Sequence, residues 1–179
     1  MPAALPSDVD TERLTLRRPR LEDFEDSFAL WSDPVVVRYI TGKPATREDA
    51  WARLMRYVGH WELMGFGFWT VREKSSGRFV GEVGLAHFRR EFQPPLGDDK
   101  EAGWVMAASA HGKGYATEAV RAGLAWAESR FGPERVVCII APENTASDNV
   151  ARKCGFRAYG RGSYKGEASI MYERLPGAR

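Results

Sequence analysis

Ser109-Ala-His-Gly-Lys-Gly-Tyr-Ala-Thr-Glu-Ala-Val120 joins an apolar, strand-like run, Ala102-Gly-Trp-Val-Met-Ala107, to a stretch in which Ala116, Val120, Leu124, Ala127 and Phe131 recur at helical spacing. Strand, glycine loop and helix follow one another directly. Such a loop brings successive backbone N–H groups to a helix N-terminus, where they lack intrahelical partners and lie at the positive end of the helix dipole. The expected guest is an anion, most naturally a phosphate. Two readings of Gly112 and Gly114 stay open on this stretch alone: they let a phosphate approach the backbone, or they only make a tight turn.

A Walker loop requires Gly, four residues, then Gly-Lys-Ser/Thr, and the chain has no such run. The dinucleotide fingerprint requires a third glycine, where Gly112-Lys-Gly114-Tyr-Ala-Thr117 offers Thr, and its loop belongs after the first strand rather than in mid-chain. The Walker reading fails, and the dinucleotide reading stays open as a weak match. The stretch that decides is Asn144-Thr-Ala-Ser147-Asp-Asn149-Val-Ala-Arg-Lys153-Cys-Gly-Phe156. With the glycine loop, it resembles the GNAT acetyltransferase superfamily, whose acetyl-CoA loop reads Gln/Arg-x-x-Gly-x-Gly/Ala and is followed by Asn-x-x-Ser/Ala and a closing Gly-Phe. The matching loop positions are His111, Gly114 and Ala116, with His111 departing from the usual Gln or Arg. The phrase Gly-Lys-Gly-Tyr-Ala-Thr-Glu-Ala looks like the ribosomal-protein N-acetyltransferase-like branch.

The 179 residues suit one domain, expected over residues 10–176 with flexible ends at 1–9 and 177–179. A composition 44% hydrophobic and 28% charged supplies a sizeable core. No apolar run is long enough to span a bilayer, and the N-terminus lacks a basic region followed by a hydrophobic one, so a cytoplasmic protein is expected, with no membrane partner. Cys138 and Cys154 read as buried thiols, giving neither a disulfide framework nor a metal site. The net charge of +2, with both signs interspersed, gives no reason to invoke nucleic acid. A monomer or homodimer is expected.

Arg13–Arg17 alternates as a strand, and Leu21, Phe24, Phe28 and Trp31 mark a helix ending near Asp33-Pro34. Thr46 and Asp49 have capping-box spacing and open a second helix with buried positions Ala50, Trp51, Leu54, Val58 and Trp61, stopped by Gly65. Phe68–Arg72 and Phe79–Leu85 read as a hairpin around Lys74–Gly77. Arg89–Lys100 reads as a loop whose Asp98 and Asp99, with Glu101, could draw in a cationic amine or simply be solvated. Arg135–Ile140 reads as a strand buried on both faces, Thr145 and Asp148 as a capping box, and the tail as two closing strands around Lys165-Gly166. The order is βααβββαβαββ. The fold class is α/β (α+β), a GNAT-like mixed, mostly antiparallel sheet of about seven strands with helices on both faces.

The resemblance implies an acetyl-CoA-dependent N-acetyltransferase acting on a primary amine, either a protein N-terminal amine or a small-molecule amine, with acetyl-CoA as cosubstrate and no metal. The pantetheine arm would lie along the strand carrying Trp104, Val105 and Met106, with the amide of Val105 or Met106 facing the thioester oxygen. The pyrophosphate would sit on His111, Gly112, Lys113, Gly114, Tyr115, Ala116 and Thr117, and Asn144, Asn149 and Lys153 would complete the cofactor site. Many relatives place a Tyr four residues before the Gly-Phe pair as acid to the leaving thiolate; here that position is Ala151, which transfers the role to Ser147. Helical capping is the competing role for Ser147. Glu101 is the candidate base and Glu82 its rival, either being otherwise a strand-edge carboxylate. The connection between the first two helices would bring Val36, Tyr39 and Ile40 toward the acceptor. His60 and His87 have no motif around them. The missing Tyr and the changed His111 leave a second class open, an acetyl-CoA or CoA-binding module without turnover.

Overall fold

Alternating and continuous apolar runs supply the strands, and amphipathic stretches between them supply the helices, in the order β1 (Val9–Asp10), β2 (Leu14–Arg17), α1 (Phe24–Ser32), α2 (Pro34–Val37), α3 (Arg47–Met64), β3 (Phe68–Glu73), β4 (Phe79–Ala86), β5 (Phe92–Gln93), β6 (Lys100–Met106), α4 (Tyr115–Phe131), β7 (Val136–Ile140), α5 (Thr145–Lys153), β8 (Arg157–Tyr164) and β9 (Glu167–Arg174). This computed structural model describes residues 7–178. The strands form one sheet in the order β1-β2-β3-β4-β6-β7-β9-β8-β5. Every neighbouring pair is antiparallel except β6 and β7, which run parallel.

The sheet is the expected mixed, mostly antiparallel one, with nine strands rather than about seven. The additional strands are two-residue edges. β1 starts at Val9, the last residue of the leader expected to be flexible, and pairs it with Leu16; of those expected ends, residues 1–6 and 179 lie outside the described residues. β5 lies within the expected loop Arg89–Lys100 and pairs Phe92 with Tyr164, burying the Phe92 ring almost completely. α2 is a further addition, a single helical turn with Pro34 at its start and the Asp33 carboxylate accepting from the Val35 N–H at 2.8 Å.

α1 to α3 cover one sheet face, where Leu30, Trp31, Val36 and Val37 pack on Phe79 and Val105, and Tyr57 packs on Phe68 and Ala86. α4 covers the other through Ala119, Val120, Leu124 and Ala127, against Leu14, Leu16, Val71, Val83 and Leu85. Three indoles, Trp61, Trp69 and Trp126, meet edge to face at 5.1–5.5 Å and close that core. Trp69 is wholly buried, and its truncation to Ala would cost about 3–5 kcal/mol. The faces that α1 and α3 turn inward differ from the apolar count. α1 buries Ser27, Leu30 and Trp31 while Leu21 is 65% exposed, and α3 buries Tyr57 in place of Trp51. Polar bonds to the sheet, described below, set the rotation of α1.

Candidate active site

The one parallel junction in the sheet is incomplete. β6 and β7 are in register only at Lys100–Val136 and Glu101–Val137, although β6 runs on to Met106 and β7 to Ile140. β4 holds the far edge of β6 all the way to Met106 and β9 holds β7 to Ile140, so the sheet forks beyond Glu101. Each prong presents backbone N–H and C=O groups without a strand partner, and such groups require one. An extended molecule rich in amides is the kind of guest that satisfies them. Along β6, alternation puts Glu101, Gly103 and Val105 on the α1–α3 face and Ala102, Trp104 and Met106 on the α4 face. The Trp104 indole N–H is buried and has no partner among the described residues, a donor left available beside the fork.

β6 ends in a short turn, Ala108–Ala110, and then the glycine loop. His111 folds back so that its Nε2 lies 3.0 Å from the Met106 carbonyl; because a carbonyl only accepts, Nε2 carries the proton. Gly112 and Gly114 hold φ of 73° and 79°, the left-handed region that glycine enters without penalty. Among the described residues, none of the backbone N–H groups from Gly112 to Thr117 donates to a protein acceptor. They fan out at the start of α4, a helix of 17 residues whose dipole adds positive potential there. The loop is braced from behind. Arg13 donates from Nη1 to the Lys113 carbonyl at 2.9 Å, lies 4.6 Å from the Tyr115 ring and pairs with Glu118, while the Tyr115 hydroxyl donates to Glu73. These contacts hold the loop in place from the protein side. The Lys113 side chain is exposed at its rim, and Ala116 and Thr117 are half-buried in the first helical turn.

α5 stands beside this loop. Its N-cap is Asn144, whose Oδ1 accepts from the Ser147 N–H at 3.1 Å, and not Thr145, which is the first helical residue. The capping expectation was off by one because Asn outranks Thr at that position and has the reach. The Ser147 hydroxyl has no hydrogen-bond partner among the described residues and is half-buried, so capping does not occupy it. Asp148 instead accepts from the Tyr172 hydroxyl and from Arg152. Asn149 and Lys153 have exposed side chains, and the Lys153 carbonyl accepts from Arg121 on α4. Ala151 is fully buried in the core and offers no hydroxyl at that position.

Two buried carboxylates lie on the α1–α3 face. Glu82, 1% exposed, accepts from the Ser27 hydroxyl at 2.6 Å and from the Trp31 indole at 2.8 Å, and it is paired directly across the ladder with Val105. Burial pushes its pKa up more than these two donors pull it down. Glu101, 7% exposed, is held by Arg90, whose Nε lies 2.9 Å from both carboxylate oxygens. Its pKa is also raised, burial outweighing the guanidinium. At about 3.3 Å per residue, Glu101 is about 13 Å along β6 from Val105. Ser27 and Arg90 have no place among the site residues expected from sequence, and Trp31 enters only through the core-facing stripe of the first helix; the one available signal is Ser27 in that otherwise apolar stripe, four residues before Trp31. Asp98 and Asp99 pair with Arg89 and Arg135, so the acidic group is neutralised arginine by arginine. Val36 is buried against α1, while Tyr39 and Ile40, just beyond α2, are exposed. His60 and His87 are structural: the His87 N–H donates to His60 Nε2 at 3.0 Å, and His60 Nδ1 donates to the Phe66 carbonyl.

Among the described residues, no three His, Cys, Asp or Glu side chains gather as a metal site, and no helix is long and apolar enough to cross a membrane. The acetyltransferase (GNAT) domain family matches residues 13–157. The chain is 33% identical to the uncharacterized protein YkkB of Bacillus subtilis, over 92% of this chain and 93% of that one. It is 27% identical to the uncharacterized N-acetyltransferase p20 of Bacillus licheniformis, over 84% and 82%. A solved structure from Bordetella pertussis, assigned to the GnaT family of acetyltransferases, superposes with a TM-score of 0.84 at 32% identity, covering 95% of this chain and all of that one.

Proposed function

The chain belongs to the GNAT acetyltransferase family, and on that premise we propose that it transfers an acetyl group from acetyl-CoA to a primary amine by direct attack of the amine on the thioester. The observation that carries this reading is the fork between β6 and β7, running into the unpartnered amides of Gly112–Thr117. A diphosphate fits the amide cradle, and an extended amide-bearing arm fits the free edge of β6, with the Trp104 indole as a further donor. The bound cosubstrate supplies an activated acyl group. The chain's own residues do the rest. His111 supports the end of β6 through its bond to the Met106 carbonyl, and Asn144, Asn149 and Lys153 stand on the α5 side of the cradle.

A protonated amine cannot attack, so it must lose its proton to Glu101 or Glu82, directly or through water. A carboxylate with a raised pKa is the stronger proton acceptor for that purpose. Of the two candidate amides, Val105 and Met106, the Met106 N–H would stabilise negative charge developing on the thioester oxygen, since the Ala107 N–H bonds the Val80 carbonyl and alternation turns the Val105 N–H to β4 as well. Ser147, with its hydroxyl uncommitted, donates to the departing thiolate in place of the tyrosine whose position Ala151 takes. The acceptor class includes the protein N-terminal amines to which the ribosomal-protein-like loop phrase points, as well as small amines. A thiol-release assay over a panel of small amines and short peptides tests the proposal: turnover with at least one amine is expected. Acetyl-CoA binding with no thiol release for any amine would instead mark a binding module.

A further inference from the structure

We infer that the acceptor amine also carries a carboxylate, received by the guanidinium groups of Arg53, Arg56 and Arg90; the inference rests on the acetyl-transfer reading above and narrows its substrate class. Arg53 and Arg56 are one turn apart on α3, on the side packed toward the sheet face that carries Glu82, Glu101 and Val105. Arg53 lies 3.5 Å over the Trp31 ring, and its Nε is buried without a hydrogen-bond partner among the described residues. Arg56 sits 5.9 Å from the Tyr57 ring and 5.8 Å from the Phe88 ring. Arg90 lies 4.4 Å from Phe88 and 4.9 Å from Tyr164, with its Nε on Glu101. Aromatic faces thus hold three guanidiniums around one spot.

The acids facing them are Glu82, bonded to Ser27 and Trp31, Glu101, bonded to Arg90, and the exposed Asp49, four residues before Arg53 and bonded to Thr46 at the helix cap. With Glu82 and Glu101 both ionised, the three guanidiniums still leave one positive charge in excess on the sheet side, and Asp49 lies at the solvent-exposed end, where its charge is screened. Among the described residues neither Arg53 nor Arg56 has an ion pair, and the pKa of Arg56 is lowered by its burial and by the charges of Arg53 and Arg90. A site with guanidinium charge in excess repels a polyamine or an aminoglycoside. It favours a zwitterion whose carboxylate takes a guanidinium fork while its amine extends toward Glu101 at the start of the fork or Glu82 opposite Val105. The nearby Asp98 and Asp99, committed to Arg89 and Arg135, do not reverse the balance.

The test is equilibrium binding to the CoA-saturated protein of a panel of α-amino acids, their matched decarboxylated amines, peptide amides and spermidine. At least one amino acid should bind tenfold or more tightly than its decarboxylated counterpart. That preference should vanish in Arg56→Gln, whose folding is checked by an unchanged Tm. Equal or tighter binding of spermidine or of the decarboxylated amines, binding of no amino acid, or an Arg56→Gln protein that keeps the preference would each overturn the inference. Turnover in the same panel reports separately on the chemistry. Thiol release with spermidine but with no amino acid keeps acetyl transfer and removes the carboxylate, whereas a bound amino acid without release keeps the carboxylate and removes acetyl transfer.

Discussion

Replacing Gly114 by Asp separates the anion-cradle reading from the tight-turn reading of the loop. At φ 79° a side chain carries a backbone penalty of about 1 kcal/mol whatever its charge. Space is not the obstacle, because a Cβ there would meet only Arg13 Nη2, at 3.4 Å, the far end of a flexible side chain. The charge is what matters. A carboxylate about 5 Å from a bound phosphate, at an effective dielectric constant of about 20, costs about 3 kcal/mol per unit charge. Arg13 offsets part of that, so a net loss of about 2–3 kcal/mol, about thirty- to 150-fold in CoA affinity, is expected. Gly114→Ala carries the backbone penalty without the charge and serves as the control: both proteins should lose similar Tm, and only Gly114→Asp should lose most of its affinity by calorimetry. The difference between them should shrink as salt rises from 0.1 M to 1 M, where the Debye length falls from about 10 Å to about 3 Å. Equal affinity losses in the two proteins, independent of salt, would refute the reasoning and leave Gly114 as a turn residue.

Ser147→Ala should lower kcat by about thirtyfold or more, with acetyl-CoA affinity and Tm unchanged, because the hydroxyl acts only as the C–S bond breaks and Asn144 holds the cap; Asn144→Ala should instead lose about 1 kcal/mol of stability in a urea melt. A normal kcat in folded Ser147→Ala removes Ser147 from the reaction. Glu101→Gln and Glu82→Gln assign the base: the true one depresses turnover most at low pH, where few amines are neutral, whereas a uniform small loss across a pH–rate profile marks a structural carboxylate. Glu82 also predicts a stability slope. Its raised pKa means that the folded chain holds the proton more tightly than the unfolded one, so the stabilisation is full below the ordinary value of 4.5 and fades as pH rises through the raised value. Urea midpoints of the parent protein should therefore fall relative to Glu82→Gln over that window. The Gln amide can still accept from Trp31 and donate to Ser27, and parallel pH profiles for the two proteins would exclude the effect.

Most of the sheet was legible because its strands are local patterns. The β3–β4 hairpin turns at Gly77, φ 69°, within the stretch its residues mark, and α3 begins with the reciprocal Thr46–Asp49 cap and ends at a left-handed Gly65. The edge strands β1 and β5 were not legible, since two residues carry no periodicity and their partners lie elsewhere in the chain. The rotation of α1 was misread for a different reason. Counting Leu21, Phe24, Phe28 and Trp31 assumes that apolar area alone orients a helix, whereas Ser27 and Trp31 turn inward to satisfy a carboxylate on β4. The loop glycines and Ser147 could be singled out in sequence. Arg90, Arg53 and Arg56 could not, because arginines on a helix or in a loop read as solvent-facing until the aromatic rings that hold them are in place.

The placement of β5 has a geometric consequence. From β4 to β5 the sheet order passes through β6, β7, β9 and β8, five strand-to-strand steps. At about 4.8 Å each they trace an arc of about 24 Å, longer still across the open fork. The chain covers the same separation from Ala86 to Phe92, six residues that reach at most about 22 Å when fully extended and less with Arg89 at φ 52°. A chord shorter than its arc means that the sheet curls, and Phe88, packed on Tyr57 and Phe68, puts the chord on the α3 side. The concave side is thus the one bearing Glu82, Glu101 and the arginines. Covalent chain laces the two prongs together there, so any parting of the fork works against bond lengths as well as hydrogen bonds.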